Sequence, residues 1–260
     1  MRKVQASFQT GAASHVGLVR GRNEDNYLVR PEAGIWAVAD GMGGHDDGDV
    51  ASRTIIEALQ SIDAPNSADE LLSLCENSIF EANSRLKELG RQHGDAIIGT
   101  TVAVLLVFDG YFACIWCGDS RIYMVRQDTI AQISRDHTEV QDLIARGVLT
   151  AEEAETWSGR NAITRAIGVL DCPELEMRSG PIDVGDVFVL CTDGLTRHVQ
   201  DSEIFRVVTN SGPQTACDQL IQLTLDRGAF DNVTLIVTRC DAESATDADD
   251  EAFARADLRE

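Results

Sequence analysis

Four aspartates stand where apolar runs stop. Asp40 follows IWAVA, Asp119 follows FACIWCG, Asp193 follows VFVLCT, and Asp231 comes just before VTLIV. A small or turn-prone residue follows each: Gly41, Ser120, Gly194 and Asn232. Taken singly, each reads as a turn, because Asp-Gly and Asp-Asn dipeptides turn the chain. Taken together they pose an electrostatic problem. Strand ends gather at the edges of stacked sheets, and carboxylates brought together there repel by about 4 kcal/mol per close pair at an effective dielectric near 20. Divalent cations remove that repulsion. All-oxygen ligation suits hard ions such as Mg²⁺ or Mn²⁺ and not zinc. Two such ions sharing one carboxylate sit ~3.5–4 Å apart and bind a water of lowered pKa, a nucleophile for phosphoryl transfer. The segment RGRNED at 20–25 adds the acidic pair Glu24 and Asp25, with Arg20 ahead of them. A planar guanidinium grips phosphate oxygens two at a time. Alone, this segment is a charged loop before the strand-like NYLVR.

These carboxylates need elements that carry them to one place. Residues 100–107 (TTVAVLLV) are β-branched and apolar, and Asp109-Gly110 then gives a two-residue hairpin signal. Runs at 111–117, 121–126 and 129–133 follow, with a turn at Gln127-Asp128, so the region reads as a meander. Further strands are expected at 16–19, 26–30, 35–39, 187–191 and 233–238. A helix over 48–62 repeats apolar residues on one face. A second, about 68–89, opens on a capping box of Ser67 and Glu70 and ends at Gly90. Two more are expected at 202–209 and 213–227. Residues 137–160 interrupt the strands with two short helices, the second opening on the capping box Thr150 and Glu153; they read as a flap. Antiparallel strands interrupted by helices in this way predict an α+β fold, a four-layer α/β/β/α sandwich of two stacked antiparallel sheets flanked by helix pairs.

The 260 residues carry 43 acidic and 22 basic side chains, a net charge of −21. Such a surface argues against nucleic acid and anionic lipid as partners. No apolar run reaches the ~18 residues of a membrane helix, so no membrane insertion is expected. The opening MRKVQASFQTG has no apolar stretch of the kind a secretory leader needs. Residues 241–260 contain eight acids and two arginines and read as an acidic, disordered tail. Seven scattered cysteines read as buried free thiols in a reducing, cytoplasmic setting. Cys114 and Cys117 have zinc-like spacing but no second pair to complete a site.

Eight short segments occur in order: RGRNED at 20–25, VADGMGG at 38–44, GTT at 99–101, GDSRIY at 118–123, RDHTEVQDLIARGVLTAEEA at 135–154, NAITRAIG at 161–168, CTDGL at 191–195 and DNVTLIV at 231–237. Together they resemble the metal-dependent serine/threonine phosphatases of the PP2C (PPM) family in their compact bacterial form. The resemblance spans about residues 10–240 and implies one phosphatase domain over 1–240, the flap included. It implies two Mn²⁺ or Mg²⁺ ions, with Asp40 bridging both. Asp193 and Asp231 complete the ligands of one ion. The Gly41 carbonyl binds the other, with Glu24 holding its waters or binding it directly. Asp25 hydrogen-bonds a metal-bound water, Arg20 clamps the phosphate, and Asp119 with Asp193 holds a possible third ion. The implied reaction is direct attack of a metal-bridging hydroxide on phosphoserine or phosphothreonine in proteins. The implied partners are a bacterial Ser/Thr kinase and its targets, with the phosphatase acting as a monomer.

The sequence departs from part of the family at Met42, where some members carry a proton-donating histidine. The leaving oxygen is then expected to take its proton from a metal-bound water; His45 is an alternative donor. His137 is expected to cap or anchor the flap entrance, and Arg160, Arg165 and Arg197 to bring positive charge near the cleft. Two other readings stand beside phosphatase activity. A catalytically dead phosphoprotein-binding module is expected to lack a ligand aspartate, and none is missing. A two-metal nuclease is expected to carry a basic stripe, which the charge argues against.

Overall fold

The apolar runs become strands because both of their faces are covered. In β3 (Ile35–Met42), Ile35, Ala37 and Ala39 point to one side while Trp36 and Val38 point to the other, and all five are buried. In β10 (Val187–Cys191), Val187, Val189 and Cys191 alternate in the same way with Phe188 and Leu190. A period of two with both sets apolar gives an unbroken hydrophobic run, which is the signature of a strand inside a sandwich. The computed structural model describes residues 6–43, 47–157, 159 and 162–242. The acidic tail beyond 242, His45 and Arg160 lie outside the described residues.

The remaining strands are β1 (Ala6–His15), β2 (Asp25–Arg30), β4 (Gly99–Thr100), β5 (Val102–Phe108), β6 (Tyr111–Cys117), β7 (Arg121–Arg126), β8 (Thr129–Gln132), β9 (Glu176–Pro181) and β11 (Val233–Ala242). They form two antiparallel sheets, ordered β1-β11-β10-β7-β8 and β2-β3-β5-β6-β9, with β4 paired to β3. Trp36, Leu105, Trp116, Ile122, Phe188 and Ile236 fill the space between the sheets. Helices α1 (Asp47–Gln60) and α2 (Ala68–Gln92) cover the second sheet through Ile55, Leu59, Ile79 and Leu86. Helices α5 (Asp193–Thr196), α6 (Asp201–Asn210) and α7 (Pro213–Asp226) cover the first through Leu195, Ile204 and Leu220. Three apolar layers between four structural layers make the expected sandwich. The flap carries α3 (Glu139–Ala145) and α4 (Ala151–Glu155).

Several local expectations change. No strand forms at 16–19, where the chain turns with Gly17 at φ +81°; the strand lies before it, as β1. ASFQTGAASH shows no large apolar alternation because β1 is an edge strand pressed against α7. A Cβ on Gly11 would stand 2.3 Å from the Gln214 backbone nitrogen. Strand β9 (EMRSGP) is also an edge and equally polar. Helix α2 runs past Gly90 to Gln92, so Gly90 is there for close packing, 2.4 Å from the Ala96 carbonyl oxygen by the same construction. The capping box at α2 forms only half. Ser67 Oγ accepts from the Glu70 N–H at 3.1 Å, while the Glu70 carboxylate accepts from Asn66 N–H at 2.6 Å. The box at Thr150 and Glu153 forms completely.

Candidate metal centre

Strand register does the first part of the assembly. β2 and β3 pair so that Asp25 lies opposite Asp40, two like charges across one ladder, an arrangement that destabilises a sheet. Asp40 ends the apolar part of β3. Its N–H donates to Thr101 Oγ1 at 3.0 Å, and its carbonyl accepts from Thr101 N–H at 2.8 Å. From the other sheet, β10 runs into Thr192 and then into α5, which begins at Asp193. Thr192 Oγ1 donates to Asp25 Oδ2 at 2.9 Å, so a hydroxyl at the end of one sheet aims a carboxylate on the other. Asn232, ahead of β11, joins the N-terminal loop to the site. Its Nδ2 donates to the carbonyls of Val16 and Arg22 at 2.9 and 2.8 Å, and its Oδ1 accepts from Glu24 N–H at 2.8 Å. The Glu24 carbonyl in turn accepts from Gly41 N–H at 3.1 Å.

These contacts converge the acids named from sequence. Asp25, Asp119, Asp193 and Asp231 all raise the pKa of Asp40 through their charges, behind the larger effect of its burial. Burial, opposed by the Thr192 and Thr234 hydroxyls and aided by the charges of Asp193 and Asp231, leaves Asp25 pushed up to about 7. Burial and Asp193 push Asp119 to about 8. Asp193 is raised by burial as well, against the pull of Arg197. Arg20 feels Glu24 and Asp40. Gly41 packs so closely that a Cβ would stand 1.9 Å from the Gly48 carbonyl oxygen. All eight residues singled out from the sequence therefore meet at one edge of the sandwich.

The sequence reading missed how the arginines are used. Arg20 Nε and Nη2 reach Asp231 Oδ1 and Oδ2 at 2.9 and 3.0 Å. Arg197 pairs with Asp231 Oδ2 at 2.8 Å and also with Asp193, bridging the two. The sequence marks Arg197 only as one of three arginines able to bring positive charge near the cleft, and says nothing of its two carboxylate partners. Thr192 and Asn232 were visible only as neighbours of aspartates.

The donor set fits hard dications. Among the described residues, Oδ1 of Asp25, Asp119 and Asp193 is buried in each case without a hydrogen-bond partner. A buried ionised oxygen without a partner is costly, and a hard cation is the partner such oxygens take. Among the described residues no three acidic, histidine or cysteine side chains close on a single point. Mg²⁺ does not require that: it keeps several waters and takes one or two carboxylates. The chain also matches the family model described as Protein phosphatase 2C over residues 19–244. The chain belongs to the protein phosphatase 2C family. Relatives of this phosphatase family include the serine/threonine protein phosphatase PstP of Mycobacterium tuberculosis, 35% identical over 91% of this chain and 46% of PstP. The chain thus spans about half the length of that curated relative. PppA, described as a key regulatory component of T6SS in Pseudomonas aeruginosa, superposes with a TM-score of 0.84 at 37% identity, over 90% of this chain and 98% of PppA. The catalytic domain of PstP, solved in complex with two manganese ions, gives 0.81 at 33%, over 91% of this chain and all of that domain.

The protein phosphatase 2C flap is tied down as its histidine predicted. His137 exchanges backbone and side-chain bonds with Gly118: its N–H donates to the Gly118 carbonyl at 2.9 Å, and its Nδ1 accepts from Gly118 N–H at 3.2 Å. Its carbonyl accepts from Thr164 N–H at 2.8 Å, closing the base of the flap. No helix among the described residues is long and apolar enough to cross a membrane.

The tightest packing in the centre makes a test. A Cβ on Gly194 would stand 1.8 Å from the Asn232 carbonyl oxygen, backbone against backbone. Gly194→Ala must therefore push apart the turns bearing Asp193 and Asp231. The expected loss is about 3 kcal/mol or more, at the upper end of overpacking costs. Urea unfolding checks it; a loss under about 1 kcal/mol would show that the two turns yield easily.

Proposed function

We propose that this protein hydrolyses phosphoserine and phosphothreonine on proteins, using two manganese or magnesium ions, and so reverses a bacterial Ser/Thr kinase in the cytoplasm as a monomer. The observation that carries this reading is the convergence of five aspartates, three of them buried, beside Arg20 and Arg197. Asp40 would bridge the ions. Asp193 and Asp231 would hold one of them; Glu24 and the Gly41 carbonyl would hold the other; Asp119 with Asp193 suits a third. Ions held there supply Lewis acidity and a water of lowered pKa.

The chain's own groups supply position. Asp25, held by Thr192 Oγ1, would accept a hydrogen bond from the attacking water. Arg20 is half exposed, with side-chain exposure of 53%, and Asp231 takes only its Nε and Nη2 edge, so Nη1 would remain to meet a phosphate. Among the described residues, the nearest thiols and the Thr101 and Ser120 hydroxyls are poorly set up to act as nucleophiles. Burial pushes the Cys117 and Cys191 thiols up to about 12. Thr101 and Ser120 hydroxyls are bonded to one another at 2.7 Å. Direct attack of water, with no phosphoenzyme, is the path these residues support.

Phosphate release from a phosphothreonine peptide is expected with Mn²⁺ and to stop on chelation. Release that continues in excess chelator, or none in Mn²⁺, would end this reading.

A further inference from the structure

Large apolar side chains surround the acidic centre without being needed by it. Phe230 directly precedes Asp231, is 49% exposed, and lies against His198 with ring centroids 4.4 Å apart. Leu18 and Val19, just before Arg20, are 63% and 69% exposed. The Leu18 N–H donates to the Ala229 carbonyl at 2.8 Å, so the two loops are pinned to one another. Folding gains little from leaving three such side chains in water beside a catalytic edge.

Phe230 also lines a cavity of about 870 Å³ between the flap and the body. Asp119, Asp193 and Arg197 form its end at the acidic centre, and Val140, Ile144, Ala151 and Ala154 of the flap contribute an apolar wall. Two of the three acids inside are already paired with arginines, and Asp119 is left to the acidic centre. Arg121 binds Asp136 through Nε at 3.0 Å and Nη2 at 2.7 Å, and Arg197 binds Asp193 and Asp231. Polar side chains make up more of the lining, so the apolar surface offered to a newcomer is the flap wall together with Phe230, next to the reaction. An acidic side chain entering it would meet Asp119, Asp136 and Asp193, while Arg121 and Arg197 are already engaged by Asp136, Asp193 and Asp231.

We propose that this cavity receives a bulky apolar side chain flanking the phosphorylated residue of the substrate, and that Phe230 is the residue that selects it. Substrates of this phosphatase then belong to one chemical class, phosphoproteins with an aliphatic or aromatic residue beside the phosphoserine or phosphothreonine and no acid there. The inference rests on the phosphatase reading of the centre and adds the recognition of the flanking residue.

The test compares phosphothreonine peptides carrying Leu, Ala or Asp at each nearby position in turn, with Mn²⁺ present. p-Nitrophenyl phosphate, which has no flanking residue, is the reference. At one position Leu should give a kcat/KM about tenfold above Ala, within the range one apolar pocket discriminates, with Asp lower still. The gain should appear in KM. Phe230→Ala should erase the preference relative to p-nitrophenyl phosphate, Phe230→Leu should keep it, and Ile144→Ala on the opposite wall should weaken it. A wild-type enzyme that turns over p-nitrophenyl phosphate but treats the three peptides alike overturns the inference alone. A Leu preference that survives in Phe230→Ala overturns it too. No turnover of p-nitrophenyl phosphate by the wild type overturns the phosphatase reading beneath it.

Discussion

Asp40→Asn is expected to lower kcat by about a thousandfold while making the chelated protein more stable. The activity loss follows from the carboxylate's proposed place between two ions. Metal stabilisation of transition-state charge is worth several kcal/mol, and about 4 kcal/mol is a thousandfold in rate. The stability gain follows from the crowding. Asp40 lies opposite Asp25 in the ladder and within reach of Asp119, Asp193 and Asp231. Asparagine keeps the shape, removes one charge, and adds donors for its carboxylate neighbours. The relief expected is about 1–2 kcal/mol, in the range of other stability gains taken at active sites. For a chain of this size that is a rise of about 2–8 °C in melting temperature. Asp231→Asn makes the control, with similar loss of turnover but no gain in stability, because Arg20 and Arg197 both lean on that carboxylate. Activity assays with Mn²⁺ and melting curves in chelator read both effects. Asp40→Asn at wild-type turnover, or melting below the wild type in chelator, would remove the crowded carboxylate from the centre of the mechanism.

The same physics explains what was legible beforehand. Strands β3, β5, β6 and β10 read clearly because both faces are buried, so every residue is under the same apolar demand. Strands β1 and β9 did not, because an edge needs only half a ladder and small or polar residues suffice. The aspartates were visible as residue types at strand ends, and their order with the neighbouring motifs gave the family. Their partners were not. Thr192 and Asp25 are 167 residues apart, and Asn232 and Glu24 are 208 apart, joined only by the pairing of elements from both sheets. Arg197 illustrates the limit most sharply. Any surface arginine has the same local sequence signal, and only folding puts this one between two proposed metal ligands.

Manganese is expected to raise the melting temperature by about 5–10 °C at a free concentration near a hundred times its dissociation constant. Ligand linkage at that ratio is worth about 2.7 kcal/mol, and each kcal/mol moves a chain of this size by about 2–4 °C. The shift should grow with pH, for a reason set by the carboxyls. Asp25 and Asp119 have folded pKa values of about 7 and about 8, above the ordinary 3.8, chiefly because they are buried. An acid raised on folding contributes stability that is fully present below its unfolded pKa and lost as pH rises through its folded one. The chelated protein thus loses their contribution between about pH 4 and pH 8. Cations compete with those protons and bind the ionised forms, so their contribution increases over the same interval. Melting curves at pH 6 and pH 8, in chelator and in Mn²⁺, should show the wider gap at pH 8. Asp119→Asn should narrow the difference between the two pH values, since one of the two titrating acids is gone. Equal melting in chelator and manganese at both pH values would mean that the five aspartates are held together by the arginines alone, with no part for an ion in the fold.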